Sequence, residues 1–226
     1  MRRFIVNALG NFQDVNDLDL FSRIVQNNNE SYFVRSEAAV ALGRYKQSIS
    51  LLERLVETNS FMQLVARGAL RGLLNIAINL QEKELVKKVR ELFITKTEPE
   101  FYFRLRQTST SCLGSLGRYY EDEREIVFKH LKKLLIDDWV HERNVACAAL
   151  GNAFQSTQNS EVINELNEVI KNDYDGKVIR TAIESIRMIK EVKKDEEKAK
   201  LLAAEKVELK PRSKKIEMLE KSIIQK

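Results

Sequence analysis

Proline and glycine are scarce: the 226-residue chain has two of the first and eight of the second. That argues against a β-sandwich or barrel of many short strands, which needs Gly- and Pro-rich turns at close intervals. Strand signals are few, and apolar residues recur at helical spacing almost throughout. The two cysteines, Cys112 and Cys147, are too few for a disulfide scaffold. Each falls among small residues and reads as a reduced, buried thiol, as expected of a cytoplasmic protein. No apolar run approaches the ~18 residues a membrane-spanning helix needs. The first seven residues, Met1 to Asn7, lack the apolar stretch of a secretory leader.

Charge is plentiful but nearly balanced. The net charge is +5, and residues 190–226 carry 12 Lys/Arg against 8 Asp/Glu, so most of the excess belongs to that end. The segment has no aromatic residue and so no platform for stacking bases. A solvated mixed-charge helix is expected there, and no nucleic-acid partner. Lys210-Pro211-Arg212-Ser213 interrupts it, and Ile216, Leu219 and Ile223 form a short apolar stripe.

A phrase recurs along the rest. It reads Val34-Arg35-Ser36-Glu37-Ala38-Ala39-Val40-Ala41-Leu42-Gly43 in its fullest form. Its end returns as Asn7-Ala8-Leu9-Gly10, Cys112-Leu113-Gly114 and Ala149-Leu150-Gly151, with weaker copies at Val65–Leu74 and Val178–Arg187. Anchors at 10, 43, 74, 114, 151 and 187 are spaced by 33, 31, 40, 37 and 36 residues. Such a period marks a solenoid, in which no unit buries its apolar face alone. Each repeat reads as an antiparallel pair, helix A then helix B. The first has only a B helix, near Arg2–Phe12, and Phe4, Ile5 and Leu9 are expected to lie open beside it. The pairs that follow are 17–27 with 32–45, 47–58 with 61–78, 81–95 with 100–120, 122–136 with 140–155, and 160–171 with 176–192. Pro99 is expected near the start of the fourth B helix, and Ser60 and Ser160 as N-caps. The expected class is all-α: a right-handed α-solenoid of about five to six helix pairs over residues 1–191, with a charged helical tail over 192–226.

Chemistry is thin. His141-Glu142-Arg143-Asn144-Val145 has Val145 where a zinc-protease helix needs its second histidine, and His130 is the only other histidine. No nucleophile elbow, P-loop or dinucleotide fingerprint occurs. No catalytic or metal-binding residue is assigned. The B helices instead carry many arginines, suited to gripping carboxylates through two parallel hydrogen bonds. Arg35, Arg106 and Arg143 are equivalent in the repeat and are expected to pair with carboxylates of neighbouring repeats. Arg67, Arg71, Arg104 and Arg118 are the candidates for a peptide- or partner-binding surface. Trp139 is expected to pack across an A–B turn. Phe101-Tyr102-Phe103 and Tyr119-Tyr120 are expected to fill the widest repeat spacing.

The Val-Arg-x-x-Ala-Ala-x-Ala-Leu-Gly phrase resembles HEAT repeats. Tyr32 to Ala39, Leu51-Leu52 and Val65 to Leu73 are similar to the C-terminal helical domain of gluzincin zinc aminopeptidases of the archaeal tricorn-interacting-factor type, and Lys214 to Glu220 resembles the end of such chains. The resemblance implies a module that closes over a separate catalytic domain and shapes the substrate cavity. Zinc and the substrate-amine motif would lie in that other domain, so this chain by itself needs no cofactor and is not an enzyme. The missing first A helix fits the C-terminal portion of a longer protein, with a peptidase domain packing on the open N-terminal end. A stand-alone HEAT adaptor that binds a protein partner on its concave face is the alternative.

Overall fold

The computed structural model describes residues 2–12 and 17–191. Among them are eleven α-helices and no strand. A lone helix, α1 (Arg2–Gly10), precedes five A–B pairs: α2 (Asp17–Gln26) with α3 (Tyr32–Leu42), α4 (Ile49–Val56) with α5 (Leu64–Leu80), α6 (Lys83–Thr95) with α7 (Phe103–Tyr119), α8 (Arg124–Leu134) with α9 (Val140–Ala153), and α10 (Ser160–Asn172) with α11 (Gly176–Lys190). The fold is an all-α solenoid. The tail expected over 192–226 lies outside the described residues. The chain forms two compact units, Met1–Asn79 and Leu80–Val192.

In the first unit the apolar faces of α1 to α5 meet in a core that includes Val6, Leu9, Phe21, Leu42, Leu52 and Leu73, each at most 1% exposed. Leu9 is therefore not open: α1 packs on α3, with Gly10 against Ala41. Ile5 is half-buried, and only Phe4 stays in solvent. Phe61–Leu80 has the length and hydropathy of a membrane span, yet more than half of it is buried in this unit. Ser60 stands at the N-cap of the 3-10 turn Phe61–Gln63 that leads into α5 and makes no side-chain cap bond to that turn; its hydroxyl accepts instead from the Val65 N–H at 3.2 Å.

In the second unit, Phe93, Leu113, Leu116, Leu131, Leu150 and Leu166 fill the core. Cys112 and Cys147 are buried and unbridged, and burial pushes the Cys147 thiol up to about 12. Three local expectations need correction. Helix α7 begins at Phe103 and not near Pro99, because Glu98 to Phe101 closes a turn first, Phe101 N–H donating to the Glu98 carbonyl at 3.1 Å. The cap of α10 is Asn159, whose side chain accepts from the Val162 N–H at 3.0 Å, and not Ser160. Tyr119 fills no gap and is largely exposed.

After α9 the chain makes an unusual closure. Ser156 and Gln158 adopt left-handed φ values of 61° and 55°. This conformation is rare for residues other than glycine. Their N–H groups donate to the Met188 and Ile189 carbonyls, both at 3.0 Å. The loop thereby satisfies two of the otherwise orphaned carbonyls at the end of α11.

Candidate functional site: the outer stripe of the B helices

The repeat register separates the arginines into two classes. One position, eight residues before the anchor, holds an arginine in four of the six repeats and Ala66 and Ile179 in the other two, and its arginines are structural. Arg143 donates through Nε to Asp173 Oδ2 at 2.6 Å and through Nη2 to Oδ1 at 3.1 Å, and through Nη1 to the Asp137 and Asp138 carbonyls. Arg106 donates to the Thr97 carbonyl at 2.7 Å and to Asp137 Oδ2 at 2.5 Å. Each guanidinium ties the end of its own A helix to an acid of the next repeat. Arg2, which occupies the same position in the first repeat, pairs with Glu30 at 2.7 Å. Arg35 keeps only half of the pattern, donating to the Val25 carbonyl at 2.8 Å, because the position of the acid in the next repeat is Ser60. Its expected carboxylate partner is replaced by that carbonyl and by the Tyr32 ring, 6.0 Å away.

The second class lies seven and three residues before the anchor and one after it. Four-residue spacing puts these positions on one helix face. They are Arg3, Asn7 and Asn11 on or just after α1; Ser36, Val40 and Arg44 on or just after α3; Arg67, Arg71 and Asn75 on α5; Gln107, Ser111 and Ser115 on α7; Asn144, Ala148 and Asn152 on α9; and Arg180, Glu184 and Met188 on α11. None of the eighteen is buried. Each unit thus presents an outer stripe, and it is mostly polar.

Neighbouring repeats are laced together along it. In the first unit Arg44 Nη2 donates to Asn11 Oδ1 at 2.9 Å, and Glu37 accepts from Arg3 at 2.8 Å and from Asn7 at 3.2 Å. In the second, Arg118 Nη1 donates to Asn152 Oδ1 at 3.1 Å, Asn152 Nδ2 donates to Ser115 Oγ at 3.2 Å, and Thr181 Oγ1 donates to Asn144 Oδ1 at 2.7 Å. A groove of about 420 Å³ opens between α9 and α11, lined by Ala148, Asn152, Lys177, Arg180, Thr181, Glu184 and Met188 among others.

The candidate arginines fall on or beside this stripe. Arg67 and Arg71 are four apart on α5; Arg71 is exposed and Arg67 half-buried. Arg104 and Arg118 flank the stripe at opposite ends of α7, ~21 Å apart along the helix. Arg104 is half-buried, its guanidinium 5.2 Å from the Phe103 ring centre and its Nε without a hydrogen-bond partner. The asparagines and Arg180 were not singled out from the sequence. The signal for them is the anchor register, which charge alone does not reveal.

No metal site forms on the described residues, among which no three His, Cys, Asp or Glu side chains gather. His141 is exposed, and His130 Nε2 lies 2.7 Å from Thr97 Oγ1. Burial holds the His130 ring below the usual histidine range. Glu142, the would-be base of the zinc string, is buried beneath α7 and accepts a hydrogen bond from Thr110, and burial holds its carboxyl above the usual range. His130 and the His141-Glu142 string, as placed, do not form a zinc site.

No family model matches the sequence, and no curated protein matches it. Solved structures do. An engineered protein, 17% identical, aligns over 84% of this chain and 87% of its own with a TM-score of 0.52. A computationally designed armadillo repeat protein for modular peptide recognition, 14% identical, covers 81% of this chain and 90% of its own at a TM-score of 0.48. Human deoxyhypusine hydroxylase in complex with glycerol, 15% identical, covers 83% and 78% at 0.34. At these identities the likeness concerns the fold alone.

Proposed function

We propose that this chain is a non-catalytic helical-repeat module that holds a carboxylate-bearing peptide or protein segment along the outer stripe of its B helices. The observation that carries the reading is the register itself: the same three positions are unburied in every repeat, while the fourth, where it is Arg2, Arg106 or Arg143, is spent on holding neighbouring repeats together. In the second unit cations border the stripe: Arg104, Arg118 and Lys177 lie beside it and Arg180 on it. They outnumber Glu184, which is itself engaged by Arg187 at 2.6 Å. Arginine forks suit carboxylates, and the asparagine amides can meet a peptide backbone as donor and acceptor. The finer reading rests on the sequence resemblance: a cytoplasmic C-terminal module of a zinc aminopeptidase, closing over the peptidase site and helping to hold its substrate.

The test is fluorescence anisotropy of a labelled peptide of alternating glutamate and serine titrated with the full chain. Binding is expected, and Arg104→Glu with Arg118→Glu is expected to weaken it at least ~10-fold, about 1.4 kcal/mol. Equal affinity for the double variant would rule out the stripe as the binding surface. Zinc-dependent peptide cleavage by the purified chain would contradict the non-catalytic role.

A further inference from the structure

The turns that join A to B helices in the second unit make another surface, with residues distinct from the stripe. Four large apolar side chains stand out from it: Tyr102 is 37% exposed, Trp139 52%, Ile136 84% and Tyr174 86%. Trp139 packs not across its own turn but on Phe103, the first residue of the preceding B helix, with ring centres 5.7 Å apart, and Tyr102 leans on the same ring at 4.6 Å. Tyr102 and Trp139 both line a cavity of about 310 Å³ with Asp137 and Asp138. A larger cavity of about 900 Å³ shares those two aspartates and takes in Ile136 and Tyr174.

Most cations along this edge are engaged. Arg106 is spent on Asp137 and Arg143 on Asp173, and the Arg104 guanidinium lies 5.2 Å from the Phe103 ring centre. In the larger cavity Lys129 pairs with Glu125 and Lys132 with Glu165, leaving Lys133 without an ion pair. Against that one lysine stand Glu98, Glu100 and Asp138, all exposed and with no ion pair or hydrogen bond to their carboxylates among the described residues, Glu98 also acting electrostatically on the His130 ring. The edge already uses aromatic faces to hold cations: Lys96 Nζ lies 4.2 Å from the Phe101 ring centre, and the Arg143 guanidinium 5.2 Å from that of Tyr174. Such contacts contribute about 0.5–2 kcal/mol each, more as water is excluded.

We propose that this edge docks a basic segment of a partner protein. One of the partner's arginine or lysine side chains sits between Tyr102 and Trp139 with its charge on Asp138. Glu98 and Glu100 draw the segment in, and Ile136 and Tyr174 cover its apolar residues.

Trp139 is the only tryptophan in the chain and reports on the site directly. The probes are a nonapeptide of alternating arginine and serine and its glutamate counterpart, titrated into the full chain. The arginine peptide is expected to give a saturable change in Trp139 emission that weakens between roughly 50 and 300 mM salt, and the glutamate peptide none. Glu100→Gln with Asp138→Asn, and separately Tyr102→Ala, are expected to raise the dissociation constant at least fivefold, while Arg118→Glu leaves it unchanged. That last variant separates this edge from the stripe. The proposal fails if both peptides give the same response, or if both edge variants bind as the parent does. It also fails if Trp139 emission in the peptide-free chain already changes with salt, because the chain's own basic C-terminal segment would then fill the edge.

Discussion

Replacing Arg143 with alanine is expected to lower the unfolding free energy by about 3–5 kcal/mol, the cost typical of removing one partner of a buried ion pair. The Arg143 and Asp173 side chains are 8% and 5% exposed. Truncation leaves Asp173 charged, buried and short of its two best donors. It also frees the Asp137 and Asp138 carbonyls that Arg143 satisfies. The damage spreads along the chain. Asp173 Oδ1 accepts from the Asp175 N–H at 2.9 Å and so shapes the turn that places Asp175 as the N-cap of α11, where it accepts from Lys177 N–H at 2.8 Å and Val178 N–H at 3.1 Å. Urea unfolding followed by circular dichroism measures the loss. A change under about 1 kcal/mol would show that the pair is solvated in solution, as exposed pairs are.

The same pair gives the loss a pH dependence. The hydrogen bond from Arg143, more than any other factor, holds the Asp173 carboxyl below the usual aspartate range. A carboxyl depressed in the folded state stabilises it fully above its unfolded pKa of about 3.9, and that contribution fades as pH falls through the folded value. Parent and Arg143→Ala stabilities are therefore expected to converge below about pH 4. Glu142 acts in the opposite sense. Burial raises its folded pKa, so it costs stability as pH rises through the unfolded glutamate value of about 4.3 towards the folded one. A parent–variant difference that stayed constant down to acid pH would assign the effect of Arg143 to packing alone.

Arg143 also shows what could be read from the chain and what could not. Its equivalence to Arg106 and Arg35 was visible because the phrase puts all three eight residues before an anchor. Two of the three expected carboxylates are where the repeat logic puts them, and the third is missing because Ser60 stands in its place. Arg2 obeys the same rule, but the first copy of the phrase was legible only from Asn7 onward. Helix limits were clear where a cap or an apolar period marks them, as at α3 and α11. They were not at Pro99, because a proline fits a turn before a helix as well as its first residue. The stripe was half legible. Arg67 and Arg71 stood out by charge, whereas Asn144, Ala148 and Asn152 look like ordinary surface until the anchor register aligns them.

The sharpest test of the register is a pair of glycines. In a helix interior alanine is ordinarily favoured over glycine by about 0.5–1 kcal/mol, so propensity alone makes Gly114→Ala stabilising. The structure reverses the sign. A Cβ built on Gly114 of α7 would lie 2.7 Å from both Cα and the carbonyl oxygen of Ala149 on α9. Those are backbone atoms and cannot rotate away, so α7 and α9 must separate and loosen the packing around Leu113 and Leu150, both fully buried. Overpacking of this kind costs about 1–3 kcal/mol, and the backbone contact puts Gly114→Ala at the upper end. Gly176, the first residue of α11, meets nothing within 4 Å of the same added atom and does not have a positive φ. There the loss of unfolded-state freedom should prevail, and Gly176→Ala is expected to stabilise by about 0.4–1 kcal/mol. Thermal unfolding of the two variants side by side decides between contact and propensity. If both rise in Tm, α7 and α9 do not approach as closely as the Gly114–Ala149 crossing requires.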